Sequence, residues 1–270
     1  MTHQVTSNRS AHDRQYFFIH IPKAAGTSFT SFLASYFARD EILSDARWET
    51  IRKQPIDALA KFRLIAGHVG YDLAFYLKEP LILTVLRNPI DQLCSQYEYL
   101  RQLFEDKPTI SHPDPDVQAV TQLWKAVAQR PFPDFLDSLE GPVRAAMLEN
   151  PQARQLAQPT PYLLTDFSQD HLYQLASSRL SQIEIVGCSE HFAETVELTC
   201  RKTGWAMPQD LSQYRLNPTR KQPVRDSLDS SLRKKIERLT AVDMELYMMA
   251  RERLFSDLRA YRQRGEVLAR

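Results

Sequence analysis

Nine consecutive residues, His20-Ile21-Pro22-Lys23-Ala24-Ala25-Gly26-Thr27-Ser28, hold the ingredients of an anion cradle. Small side chains at Ala24, Ala25 and Gly26 let the backbone curl closely around a charged group, and Gly26 offers a position able to take a positive φ. Thr27 and Ser28 open a run in which Phe29, Phe32, Leu33, Tyr36 and Phe37 recur at helical spacing. The free N–H groups and the dipole of such a helix favour negative charge. Lys23 adds a point charge able to reach a bridging or leaving oxygen. An ordinary strand-to-helix turn with a surface lysine accounts for the same residues, so further cations must decide.

Two further positions bear on that choice. Arg87 offers a guanidinium and Ser95, eight residues on and about two helical turns away, a hydroxyl; both suit phosphate oxygens. His68 is the best candidate base, because imidazole titrates near neutrality and its neutral form accepts a proton. His20 reads as packing within the first apolar run, and His3, His12, His112, His171 and His191 have no supporting constellation. The seven glycines offer no match to G-x-x-x-x-G-K-[ST], and no strand ends in paired acids to hold Mg²⁺. No Cys or His cluster has zinc spacing, so no metal is expected.

The elements that must position these groups are readable from hydrophobic pattern. Tyr16–Ile21, Phe62–Ile65, Leu81–Leu86 and Ile183–Gly187 are short apolar runs of the kind that form buried parallel strands. Helical periodicity follows the first at Phe29, the third at Leu93, Tyr97 and Leu100, and the fourth around Phe192, Val196 and Leu198. Pro89 fits a first helical turn. Further helices are expected over 117–129, 133–139, 143–156 and 228–264. Strands alternating with helices predict an α/β fold with an open, mostly parallel sheet flanked by helices, a helical insertion at about 105–180 and a helical C-terminal part. In such sheets ligands bind beyond the carboxyl ends of the strands, where His20–Ser28, Gly67-His68 and Arg87 all fall. Residues 1–14 read as a flexible polar tail and 15–270 as one domain.

Bulk properties narrow the function classes. A net charge of +1 over 270 residues predicts no nucleic-acid or membrane partner. Residues 201–270 nevertheless carry 16 Lys and Arg against 9 Asp and Glu, either an anion-facing surface or a solvated basic helix. Cys94, Cys188 and Cys200 are too few and odd in number for a disulfide framework. No run approaches the roughly 20 apolar residues of a membrane span, and the polar start lacks a signal core. A soluble, cytoplasmic protein without stable membrane insertion is expected; oligomeric state is silent.

Residues 20–28 resemble the H-I-P-K-[TA]-[AG]-G-T-S signature of carbohydrate sulfotransferases, the group that includes heparan sulfate 2-O- and 6-O-sulfotransferases. The resemblance implies a P-loop-NTPase-like fold. It also implies that Lys23, Ala24, Ala25, Gly26, Thr27 and Ser28 hold the 5′-phosphosulfate of 3′-phosphoadenosine 5′-phosphosulfate (PAPS). The stretch Arg87 to Tyr97 is similar to the family's R-[DN]-P-x-x-R-x-x-S-x-[YF] motif, which implies that Arg87 and Ser95 bind the 3′-phosphate. Here the family's second arginine is Gln92. Arg215 to Lys221 resembles a loop that closes over the nucleotide, with Arg220 and Lys221 as contacts, although a solvated loop reads nearly as well. Gly67-His68-Val69 resembles the segment carrying the base in heparan 2-O-sulfotransferases, with Ala66 where those enzymes often have another histidine. Ile185 to Phe192 looks like the family's V-G-x-x-E-x-F segment, with Gly187 and Phe192 as packing residues. Asn150 to Leu156 is similar to its N-x-Q-x-R-x-L stretch, whose Gln152 and Arg154 suit either an acceptor contact or a polar helix face. The activity implied is metal-free sulfuryl transfer to a hydroxyl of a small molecule, glycan or lipid, with His68 as base and Lys23 stabilising the leaving phosphate. A P-loop-like nucleotide kinase and a non-catalytic nucleotide-binding protein are the alternatives.

Overall fold

The computed structural model describes residues 14–106, 115–139, 144–145, 147–160, 166–214 and 223–268. Within them, β1 (Tyr16–Ile19), β2 (Ile42–Arg47), β3 (Leu64–His68), β4 (Leu81–Leu86) and β5 (Ile185–Cys188) form one open sheet in the spatial order β2-β3-β1-β4-β5. Every pairing is parallel. The helices that cover it are α1 (Gly26–Ala34), α2 (Pro89–Asp106), α3 (Pro115–Ala128), α4 (Phe132–Ser138), α5 (Pro151–Ala157), α6 (Gln169–Gln182), α7 (Phe192–Thr203), α8 (Ser230–Leu239) and α9 (Ala241–Leu268).

All side chains of β1 and β4 are buried. A strand buried on both faces has no polar side to display, which is why Tyr-Phe-Phe-Ile and Leu-Ile-Leu-Thr-Val-Leu read as nearly unbroken apolar runs. The one hydroxyl among them, Thr84, is satisfied by donating to the Ile19 carbonyl at 3.1 Å. Ile19 stands opposite Gly67 on one side and Thr84 on the other, so β1, β3 and β4 all end at the same edge. α5 and α6 pack into the sheet's core through Ala153, Leu156, Leu172, Ala176 and Leu180. A second apolar cluster gathers the inner face of α2 with α3, α4 and Ile236 of α8. No helix among the described residues is long and apolar enough to cross a membrane.

Three boundaries differ from the pattern-based expectation. β2 was not expected, because an edge strand with a mixed, half-exposed face lacks a continuous apolar run. The predicted helix 143–156 is interrupted at Asn150, which takes φ 53° before Pro151 opens α5. The predicted helix 228–264 is two helices that meet at Thr240.

β2 also explains a glycine. Its register against β3 shifts between Leu43 and Ala46, and Asp45 adopts φ 57°. This irregularity brings the β2 backbone so close that a Cβ on Gly67 would lie 2.1 Å from the Ala46 carbonyl oxygen. Gly67→Ala forces the strands apart beside His68, at an expected cost of about 3 kcal/mol. Gly204→Ala, at φ 75° with open space around it, is expected to cost only about 1 kcal/mol. Urea unfolding of the two variants checks that order.

Candidate functional site

The segment from His20 to Ala25 leaves the central strand and enters α1 as a tight loop. Lys23 at φ 62° and Ala25 at φ 59° are its two left-handed residues. Gly26 does not supply the positive φ that the sequence allowed it; it is glycine for a different reason. A Cβ there would sit 1.9 Å from Cδ2 of His20, so the missing side chain makes room for an imidazole. Alternation of left-handed residues with ordinary ones curls successive N–H groups toward a common point. No side chain caps the N-terminus of α1, and the first N–H groups of a helix have no intrahelical acceptor. Thr27 is exposed and Ser28 half-buried at that end, and Ala24 is fully buried against the core.

The loop is held by its carbonyls. His20 accepts from His68 Nδ1 at 2.9 Å and Gln155 Nε2 at 3.0 Å, Ile21 from the Ala24 N–H at 3.3 Å, Pro22 from Gln92 Nε2 at 2.9 Å, and Lys23 from Arg87 Nη1 at 2.9 Å. Gln92, the departure from the family's arginine, is thus a buried strut for the loop. A nearby ion pair is supplied instead by Asp91 and Arg225.

Arg87 follows β4 directly, and Asn88 caps α2 by accepting from the Ile90 N–H at 3.0 Å. The charge that Lys23 feels most is another cation, Arg87: burial and that guanidinium together lower its ammonium to about 8. The Lys23 ammonium lies 4.1 Å above the ring of Tyr99 on α2. Gln92, Ser95 and Tyr99 lie three and four residues apart on one stripe of α2. The two outer members touch the loop, which places half-buried Ser95 between them on the loop-facing side.

His68 ends β3 opposite Arg47 of β2, and its ring lies 4.4 Å from that of His20. A carbonyl only accepts, so the contact with His20 oxygen fixes the proton on Nδ1 and leaves the Nε2 lone pair to take a proton. Burial lowers the His68 pKa, opposed by that hydrogen bond. His20, more deeply enclosed and beside two other basic groups, is lowered to about 3 and stays neutral. The second imidazole that Ala66 denies to β3 is therefore supplied from the neighbouring strand.

Other expectations resolve differently. Gln152 is fully buried and pairs with the Arg87 main chain, accepting from its N–H at 3.0 Å and donating to its carbonyl at 2.9 Å. Arg154 is also buried, its Nε donating to the Glu149 carbonyl at 2.9 Å. Neither is placed as an acceptor contact by these bonds. Glu190 does more than open a helix, since it accepts from the Asn88 N–H at 2.9 Å. Gly187 and Phe192 pack against Thr195 and Phe29 respectively. Cys94, Cys188 and Cys200 are buried thiols. Arg220 and Lys221 lie outside the described residues. Among the described residues no group of three or more His, Cys, Asp or Glu is placed to hold a metal ion. Gln155 falls on the unspecified position between Arg154 and Leu156 of the N-x-Q-x-R-x-L pattern, so the pattern does not mark it; its place one turn after Gln152 is the signal the sequence offers.

No protein-family model matches the chain, and no curated protein matches it.

What the arrangement offers chemically is a neutral imidazole, a lysine and an arginine gathered at one tight loop. Heteronuclear NMR of the ring nitrogens is expected to show His68 as the neutral Nδ1–H tautomer at neutral pH. A dominant Nε2–H tautomer there would remove it as a proton acceptor at the exposed nitrogen.

Proposed function

We propose that the chain is a PAPS-dependent O-sulfotransferase of P-loop-like architecture. The observation that carries this reading is the direct bond from Arg87 to the Lys23 carbonyl, which brings the two candidate phosphate-binding elements together. The N–H groups of residues 23–28 other than Ala24, whose N–H bonds the Ile21 carbonyl, take the 5′-phosphosulfate together with the Lys23 ammonium, and Arg87 with Ser95 takes the 3′-phosphate. Arg220 and Lys221 are proposed, from the resemblance alone, as further contacts to the nucleotide.

In the reaction, Nε2 of His68 takes the proton of the acceptor hydroxyl as its oxygen bonds to sulfur. The bond from sulfur to the phosphate oxygen breaks, and the Lys23 ammonium stabilises the charge left on that oxygen. Beside His68 the end of β2 carries Arg47, followed by Trp48 packed on Tyr76, with Phe75 exposed nearby in sequence. This surface is suited to an acceptor of the small-molecule, glycan or lipid class.

Calorimetric titration with 3′-phosphoadenosine 5′-phosphate, without metal, tests the donor. Tight binding is expected, with Arg87→Ala weakening it by about a hundredfold, the loss of one charge-assisted bidentate contact. Equal affinity for adenosine 5′-phosphate, or transfer from ATP with Mg²⁺, would turn the reading toward a phosphotransferase or a general nucleotide binder. His68→Ala is expected to leave that binding intact and lower kcat by about 10²–10⁴-fold.

The pH profile gives a separate check. His68 acts when neutral and Lys23 when protonated. As pH rises, kcat/KM should therefore climb on a limb below the usual histidine value of 6.5 and fall on a limb near 8. Donor phosphates favour the lysine's charged form, so the falling limb of kcat moves to higher pH. His68→Ala removes the rising limb.

A further inference from the structure

Far from the loop in sequence, two side chains lock a pair of helix starts together at the back of the site. Asp243, in the first turn of α9 and completely buried, accepts from the Gln152 N–H through one oxygen at 3.1 Å and from the Ala153 N–H through the other at 2.7 Å. Asn150 returns the contact, its side-chain oxygen accepting from the N–H groups of Val242 at 2.9 Å and Asp243 at 3.2 Å. The Asn150 N–H donates to the Leu239 carbonyl at 3.1 Å. Each helix start thus supplies the side chain that caps the other.

α5, held in this way, presents two amides from its inner face. Gln152 pairs with both main-chain groups of Arg87, as a neighbouring strand would, and Gln155 donates to the His20 carbonyl that also receives His68. One short helix therefore spans the arginine side and the imidazole side of the site. The main chain at Arg87 leaves the sheet here, where strand pairing no longer defines it, so the Gln152 amide supplies that definition.

We infer that Gln152 and Asp243 are positioning residues for the donor nucleotide: Asp243 fixes α5, and Gln152 on α5 fixes the Arg87 backbone so that its guanidinium meets the 3′-phosphate. The inference rests on the sulfotransferase reading for the identity of the ligand, and on the hydrogen bonds alone for the clamp itself.

The test has two arms. In the first, affinities for 3′-phosphoadenosine 5′-phosphate and for adenosine 5′-phosphate are measured in wild type, Gln152→Leu, Arg87→Ala and the double variant. Gln152→Leu is expected to weaken the first nucleotide about tenfold and the second by less than about threefold, with no further loss when Arg87 is already alanine. Equal losses for both nucleotides, or losses that add in the double variant, would overturn the assignment. If Gln152→Leu does not fold, Gln152→Glu takes its place, because it keeps the acceptor for the Arg87 N–H and loses the donor to its carbonyl. The second arm needs no nucleotide: amide exchange at Arg87 is followed in wild type and in Asp243→Asn, which replaces one acceptor with a donor facing an N–H. Exchange at Arg87 is expected to accelerate at least tenfold while amides in β1 stay protected. Unchanged exchange would sink the clamp whatever the ligand proves to be. Wild type that fails to prefer the 3′-phosphorylated nucleotide would instead remove the sulfotransferase reading, with the exchange arm still deciding whether the clamp exists.

Discussion

The site depends on which way five peptide groups point. From Ile19 to Lys23 each carbonyl accepts a hydrogen bond, from Thr84, from His68 and Gln155, from the Ala24 N–H, from Gln92 and from Arg87 in turn. A trans peptide is planar, so anchoring its C=O on one side turns an attached N–H to the other; Pro22 has no N–H and those of His20 and Ala24 return to the Gly67 and Ile21 carbonyls, so the effect falls on Ile21 and Lys23. Apart from the Ala24 N–H, which belongs to the loop, the partners are side chains of β3, β4, α5, α2 and the residue that follows β4. The loop's path is thereby defined by what holds its oxygens. The strained residues Lys23 and Ala25 persist because that surrounding set over-determines them.

The same logic accounts for the electrostatics. The chain as a whole is almost neutral, yet Lys23 and Arg87 are brought together by a backbone contact between them. Two cations held this close, half out of water, cost free energy that an anionic ligand offsets. The lowered lysine is the visible consequence. The acids near Arg87 are committed elsewhere, Asp91 to Arg225 and Glu190 to the Asn88 N–H, so the guanidinium is oriented without being neutralised outright.

Much of this was legible in the residues, and the failures have physical causes. β1, β4 and the helix after each were readable because burial on both faces leaves an unbroken apolar run. β2 was not, because an edge strand with a bulge carries no such run. Lys23, Arg87 and His68 stood out by residue type and by position after a strand. The His20–His68 pair did not, since only strand register brings residues 48 apart side by side. Gly26 was identified correctly as a special position with the wrong reason attached: sequence shows that a side chain is missing, and only packing shows what fills the space. Gln152 and Arg154 suit either an acceptor contact or a polar helix face by pattern, and nothing in periodicity distinguishes an amide that faces water from one that completes a buried main chain.

The reciprocal caps between Asn150 and Asp243 also set an order in time. A chain leaves the ribosome from its N-terminus, and domains assemble as their segments emerge. The loop, the base and Arg87 are all made within the first third of the sequence, but the residue that closes the clamp behind them is separated from Gln152 by 91 positions. Contacts of such long range are formed late, after the intervening chain has lost its freedom. During synthesis Lys23, His68 and Arg87 are therefore present well before the clamp behind them can close. The short helix at residues 151–157 is tied both to a segment made long before it, through Gln155 and His20, and to one made long after it, through Gln152 and Asp243.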